Sequence, residues 1–160
     1  MAENKTYKPV GGVARVALHA ADAVVGAQFA TEGCAIEFCD EAIEVALRDD
    51  GSTLTETTTP DKGIITVSHR LDLVAERNDA EPWLEERFIE RATRVGVVAI
   101  VTLNDSRSVV LGYSEHLGTE QPLRLHSLTL NAGVTPSDSP TARLSLCSTD
   151  ASTAAPYFEP

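Results

Sequence analysis

Between residues 63 and 96 the spacing of the apolar side chains changes once, and that change limits the folds open to the chain. In GIITVSHRLDLVAE, residues 63–76, Ile65, Val67, Leu71 and Leu73 share one face and Thr66, Ser68, Arg70 and Asp72 the other. A repeat of two belongs to a strand with one buried and one wet side. His69 falls on the apolar face, where a core histidine with satisfied hydrogen bonds is expected. In NDAEPWLEERFIERATRVG, residues 78–96, Leu84, Phe88, Ala92 and Val95 recur at helical spacing, with Trp83 and Ile89 widening the stripe. Asn78 or Asp79 is placed to cap this helix, Pro82 suits its first turn, and Gly96 ends it. One long helix is predicted over about residues 79–95. Its Glu86, Glu90, Arg87, Arg91 and Arg94 read as a solvated, ion-paired exterior.

Every other periodic stretch reads as strand. VARVALH at 13–19 alternates, as does AIEVALR at 42–48. DDGS at 49–52 signals a turn. TLTETTTPDKG follows, rich in β-favouring threonine, with a turn at Pro60-Asp61-Lys62-Gly63. It predicts an extended arm or hairpin standing off the core. VVAIVTL at 97–103 and SVVLGYS at 108–114 flank the tight turn NDSR and predict a hairpin. LRLHSLTLN at 123–131 slips phase between Leu125 and Leu128, which predicts a bulge. TARLSLCS at 141–148 is the last strand. Residues 21–34 have no clear period and leave room for a short helical turn. The fold class expected is α+β, mainly β: an antiparallel sandwich or barrel with one flanking helix and a Thr-rich hairpin arm. The organisation expected is an N-terminal arm at 1–12, one β-rich domain at 13–150 and a C-terminal tail at 151–160.

A chain of 160 residues with 42% hydrophobic content fills one domain, and 5% aromatic content makes its core mainly Val, Leu, Ile and Ala. The net charge of −11 argues against phosphate gripping and anionic membrane surfaces. It does not exclude a surface that nucleic acid slides past. The start, MAENKTYKPV, lacks the apolar region of a signal peptide, and no apolar run approaches the roughly 20 residues of a membrane span. Three cysteines, Cys34, Cys39 and Cys147, are an odd number and suggest reduced thiols in a cytosolic setting.

Candidate chemistry is sparse. Gly112-Tyr113-Ser114 begins like a nucleophile elbow, but the fifth position is His116 where the elbow needs a second Gly. Downstream the chain reads as loop and strand. A hydrolase using Ser114 with His116 or His126 is therefore the weaker alternative. The bland reading puts Gly112 at a close contact and Ser114–Gly118 in a loop. Cys34 and Cys39 have C-x4-C spacing but no second ligand pair, so no metal is assigned. No P-loop or dinucleotide fingerprint is present, and no cofactor is assigned. The carboxylate pairs Asp40-Glu41 and Asp49-Asp50 read as solvated turn residues. A monomeric adaptor or ligand-binding barrel is a third class, weakened by having Trp83 as its only tryptophan.

The order of elements resembles phage tail-tube proteins and the tube proteins of contractile injection systems: arm, strands, Thr-rich segment, one helix, closing antiparallel strands. The stretches GGVARVALHAADAVV, VSHRLDLVAERNDAEPWLEERFIERA, GVVAIVTLNDSRSVVLGYSEHLGTEQPLRLHSLTLNAG and PSDSPTARLSLCSTD are similar in phrasing to prophage tail proteins and cover most of residues 11–150. The resemblance implies a virion tail subunit that self-assembles in the host cytoplasm into hexameric, stacked rings. It implies sheath, baseplate or terminator proteins as partners, and DNA passing through without tight binding. A terminator, completion or adaptor protein of the tail would have the same layout. The residues expected at the lumen or arm are Asp49, Asp50, Glu56 and Asp61, which flank the extended segment.

Overall fold

The computed structural model describes residues 12–31, 33–48, 51–114, 118, 120–133, 135–137, 139–150 and 155–157. It is mainly β, with 59% strand and 12% helix. Strands β1 (Val13–Ala20), β4 (Ile43–Glu44), β7 (Val97–Leu103), β8 (Ser108–Leu111) and β11 (Ala155–Pro156) form one sheet in the order β11-β8-β7-β1-β4. Strands β5 (Thr53–Asp61), β6 (Ile64–Glu76), β9 (Arg124–Asn131) and β10 (Thr141–Asp150) form a second in the order β5-β6-β10-β9. A separate hairpin pairs β2 (Val24–Ala30) with β3 (Gly33–Phe38). All these ladders are antiparallel.

The two sheets share one core. Val16 and Leu18 of β1, Ala99 and Val101 of β7, Leu71 and Leu73 of β6, and Leu144 and Leu146 of β10 are buried together, with Trp83, Phe88 and Ala92 from the helical segment. β7 is buried on both faces. Its Val97, Ala99 and Val101 enter the core between the sheets, while Val98 sits with Cys34 and Ile36 in a second cluster under the β2–β3 hairpin. That double burial explains why 97–103 reads as a continuous apolar run. The layers are therefore hairpin, β11–β4 sheet, then β5–β9 sheet.

The alternation in β6 holds: Val67, His69, Leu71 and Leu73 are buried and Thr66, Ser68 and Arg70 exposed. The β9 bulge lies where the phase slips, since Ser145 pairs with Ser127 and Leu146 with Leu125, leaving His126 as the extra residue. Lys62 (φ 51°) and Gly63 (φ 83°) form the two-residue turn between β5 and β6, and both positive φ values fit a primed hairpin turn. Pro60 is tolerated because β5 is an edge strand.

Several expectations need correction. The helix is not continuous: α1 (Glu81–Leu84) and α2 (Glu86–Arg94) are separated by Glu85, whose ψ of 131° is extended. Trp83 and Phe88 are both buried, yet five residues on one helix lie about 140° apart, and the break turns both inward. Neither Asn78 nor Asp79 caps it; the N-cap position is Ala80, without a side-chain bond. Residues 24–38 hold a hairpin after a 3-10 turn at Ala21–Ala23, not one helical turn alone. The 42–48 strand shrinks to Ile43–Glu44, although Val45 is buried and Leu47 still packs on the core. The strand after the NDSR turn ends at Leu111, and the tail contributes Ala155–Pro156 as an edge strand beside β8. Of the N-terminal arm, only Gly12 lies within the described residues.

Candidate functional site

β6 is longer than its inner partner. Among the described residues β10 pairs with it from Glu76 to Val67, whereas β5 follows it to Ile64. Among the described residues, 59–66 thus form a two-stranded ribbon past the last β10 pair. Ile64 is 67% exposed and Ile65 56% exposed on this ribbon. Both are β-branched and apolar, and a two-stranded ribbon is marginal on its own in water. The expected hairpin arm is present, and its tip carries apolar side chains as well as hydroxyls.

Among the described residues no strand pairs with the outer edge of β5 on one side of this sheet or of β9 on the other. Unpaired N–H and C=O groups on an edge are a template for another strand. Leu130, 51% exposed, adds an apolar side chain on β9. Glu56 and Asp61 both lie on β5, five positions or about 17 Å apart along an extended backbone. Glu56 is exposed and opposite His69 in the ladder. Asp49 and Asp50 lie outside the described residues, so the structure places two of the four acidic candidates on one strand, well apart, and clusters none of them.

The outer face of this sheet is polar, and sequence reading missed its main feature. Cys147 pairs with Arg70 on one side and Arg124 on the other, so two arginines flank one thiol across the ladder. With Thr55, Thr57, Ser68 and Thr149 they line a groove of about 530 Å³. Asp72, next along β6, accepts hydrogen bonds from Arg70 Nε at 3.0 Å and from the Ser145 hydroxyl. Partial burial pushes its carboxyl up; the Ser145 and Arg70 hydrogen bonds and the charges of Arg70 and Arg143 outweigh this and hold it below the usual carboxylate range. Burial pushes the Cys147 thiol up, against the nearby Arg70 charge, which disfavours a reactive thiolate.

On the inner face, His69 is 4% exposed. Its Nδ1 lies 3.4 Å from Ser148 Oγ, and its Nε2 is buried with no partner among the described residues. The expectation of a satisfied core histidine is half met. A second cavity of about 480 Å³ lies between the end of β3 and α2, lined by His19, Asp22, Cys39, Asp40, Arg87 and Arg91 among others. Here His19 Nδ1 donates to Asp40 Oδ1 at 2.7 Å and the ring stacks on Phe38 at 3.7 Å, while Arg91 pairs with Asp22. These contacts clasp the hairpin layer to β1 and α2.

Ser114 does not stand on a strand-to-helix turn. Its N–H and C=O pair reciprocally with Gly118, closing a loop, and the chain returns into β9. Gly112 has φ +86°, and a Cβ there would lie 2.6 Å from the Val97 carbonyl oxygen and 2.9 Å from the Leu123 nitrogen. The glycine serves close backbone approach. His116 lies outside the described residues, and His126 is exposed in the β9 bulge. Cys34 and Cys39 bracket β3 and are about 17 Å apart by extended geometry, too far to share one metal ion. All three cysteines are free. Among the described residues no helix is long and apolar enough to cross a membrane.

Comparison with models of protein families, with curated proteins and with solved structures finds no match.

Proposed function

We propose that this chain is a structural subunit of a phage tail or phage-like injection apparatus, and within that class the tail tube protein. Its copies join into rings, and the rings stack around a conduit for DNA. One observation carries the reading: the ribbon at residues 59–66 runs past the last described pair of β10 and leaves Ile64 and Ile65 exposed. Apolar side chains on an unsupported ribbon are stabilised when a neighbouring subunit covers them. The edges of β5 and β9, unpaired among the described residues, support the same reading, because a contact between two different surfaces of identical subunits builds a ring when its rotation closes. A chain charge of −11 suits a wall that repels DNA, with Glu56 and Asp61 on β5 as candidate wall residues.

Negative-stain electron microscopy across a concentration series tests this. Rings or hollow tubes are expected. Uniform particles of monomer size at every concentration would overturn self-assembly as the function.

A further inference from the structure

We infer that copies of this chain also bind each other through charged surfaces, the arginine face of the β5–β9 sheet on one copy seating the carboxylates of the β3–β4 segment on the next. The inference rests on the self-assembly part of the proposed function and adds a contact that uses charged side chains, not strand pairing.

The first half of the contact is cationic in an acidic protein. Arg70, Arg124 and Arg143 lie on the outward positions of β6, β9 and β10. Arg70 and Arg124 are two strand spacings apart, about 10 Å, and Arg143 lies four residues from Cys147 along β10, about 13 Å. All three are exposed. The carboxylate among them, Asp72, is occupied by Arg70 and Ser145 and also feels the charge of Arg143. Glu76, at the far end of β6, pairs with Arg48. Neither Arg124 nor Arg143 has an ion-pair partner among the described residues. The groove between Arg70 and Arg124 is edged by hydroxyls, which donate to carboxylates.

The second half lies off that sheet, on β3, the turn after it and β4. From residue 16 to residue 47 the sequence has six carboxylates and no Lys or Arg: Asp22, Glu32, Glu37, Asp40, Glu41 and Glu44. Arg91 pairs with Asp22 and His19 with Asp40. Glu37, Glu41 and Glu44 are exposed and have no ion-pair partner among the described residues. Glu37 follows the inward Ile36 on β3 and so faces out of the hairpin. Glu44 pairs with Ala17 at the edge of β1, in a hollow it shares with Arg15 and His19. Glu37 lies on the hairpin layer, Glu41 in the turn after it, beside a cavity also lined by Arg87 and Arg91, and Glu44 on β4 of the middle sheet, all off the β5–β9 sheet that carries the arginines. A second copy brings the two sets together in a head-to-tail contact. Complementary patches also offset the repulsion that −11 charges impose on each approaching copy.

Sedimentation velocity on the full chain, across protein concentration and from low to about 0.5 M salt, tests the inference. Arg124→Glu and Glu41→Arg should each weaken self-association about tenfold, because attraction becomes repulsion. The chain carrying both changes restores a complementary pair and should recover most of the loss. High salt should weaken the wild type and flatten these differences, since the screening length falls from about 10 Å at 0.1 M to about 3 Å at 1 M. Circular dichroism keeps misfolded variants out of the comparison. Wild-type association that Arg124→Glu leaves unchanged would overturn this contact and leave the tail reading standing. A wild type that stays monomeric at every concentration and salt would overturn both. Weakening by both single changes without recovery in the double would also overturn the pairing of these two surfaces.

Discussion

The Ser145 hydroxyl donates to the Asp72 carboxylate across the β10–β6 ladder, 73 residues away in sequence. Ser145 is 1% exposed, so its hydroxyl has little access to water. A carboxyl held below its ordinary range contributes stability that is present above the unfolded-state pKa and is lost as pH falls through the folded-state pKa. Ser145→Ala removes one of the bonds that lower it. The variant should lose about 1 kcal/mol at pH 7 by urea unfolding of dilute protein. The gap to wild type should narrow as pH falls below the unfolded value of about 3.9, where the carboxyl protonates in both states. An undiminished gap at pH 2–3 would mean that Ser145 acts by packing alone.

His69 is a polar ring in an apolar row, and its Nε2 has no described partner. The 3.4 Å contact to Ser148 is long for a hydrogen bond and adds little. An unsatisfied buried group costs about 1–3 kcal/mol, so His69→Leu should raise stability by about 1 kcal/mol in urea titration. Ser148→Ala should stay within about 0.5 kcal/mol of wild type. A loss of stability in His69→Leu would show that Nε2 has a partner outside the described residues.

Gly112 and Ser114 separate the loop reading from the hydrolase reading. A Cβ at Gly112 meets two backbone atoms at under 3 Å, and φ of +86° is unfavourable for alanine as well. Gly112→Ala should cost at least about 2 kcal/mol. Ser114→Ala should cost about 1 kcal/mol and should leave assembly intact. Covalent labelling of Ser114 by a fluorophosphonate would sink the loop reading.

What could be read ahead of the structure follows from where each signal sits in the chain. β7 and β8 were legible because both strands and their turn are contiguous, with Asp105 accepting from the Arg107 N–H inside the turn. The β9 bulge was legible because Leu125 and Leu128 break an alternation that their neighbours keep. β2 and β3 were not: Gly26, Ala27, Ala30 and Ala35 are small, and only the surface of β7 decides which side of them is buried. The break at Glu85 was hidden because Leu84, Phe88 and Ala92 satisfy helical spacing while Trp83 requires the turn. The ribbon was visible as a Thr-rich segment ending in Asp-Lys-Gly. The arginine face was not, because Arg70, Arg124 and Arg143 lie in three strands and meet only through register. The His19–Asp40 clasp, 21 residues apart, is likewise a product of the β1–β4 connection.

The ribbon gives the most direct separation of folding from assembly. Ile64 and Ile65 are more than half exposed, so replacing both by lysine removes little buried area from a single copy. Monomer stability should change by no more than about 0.5 kcal/mol per site. Assembly should respond differently. Covering an isoleucine fully contributes about 1.5–3 kcal/mol, and each 1.4 kcal/mol is tenfold in association. Ile64→Lys with Ile65→Lys should therefore raise the concentration at which rings form by tenfold or more, read by pelleting and electron microscopy against the unchanged circular dichroism of the variant. Lysine at these positions is also a recognised way of blunting an exposed edge. Rings at the wild-type concentration would show that the ribbon faces solvent in the assembly, and the inter-subunit contact would then have to come from β9 or the outer faces.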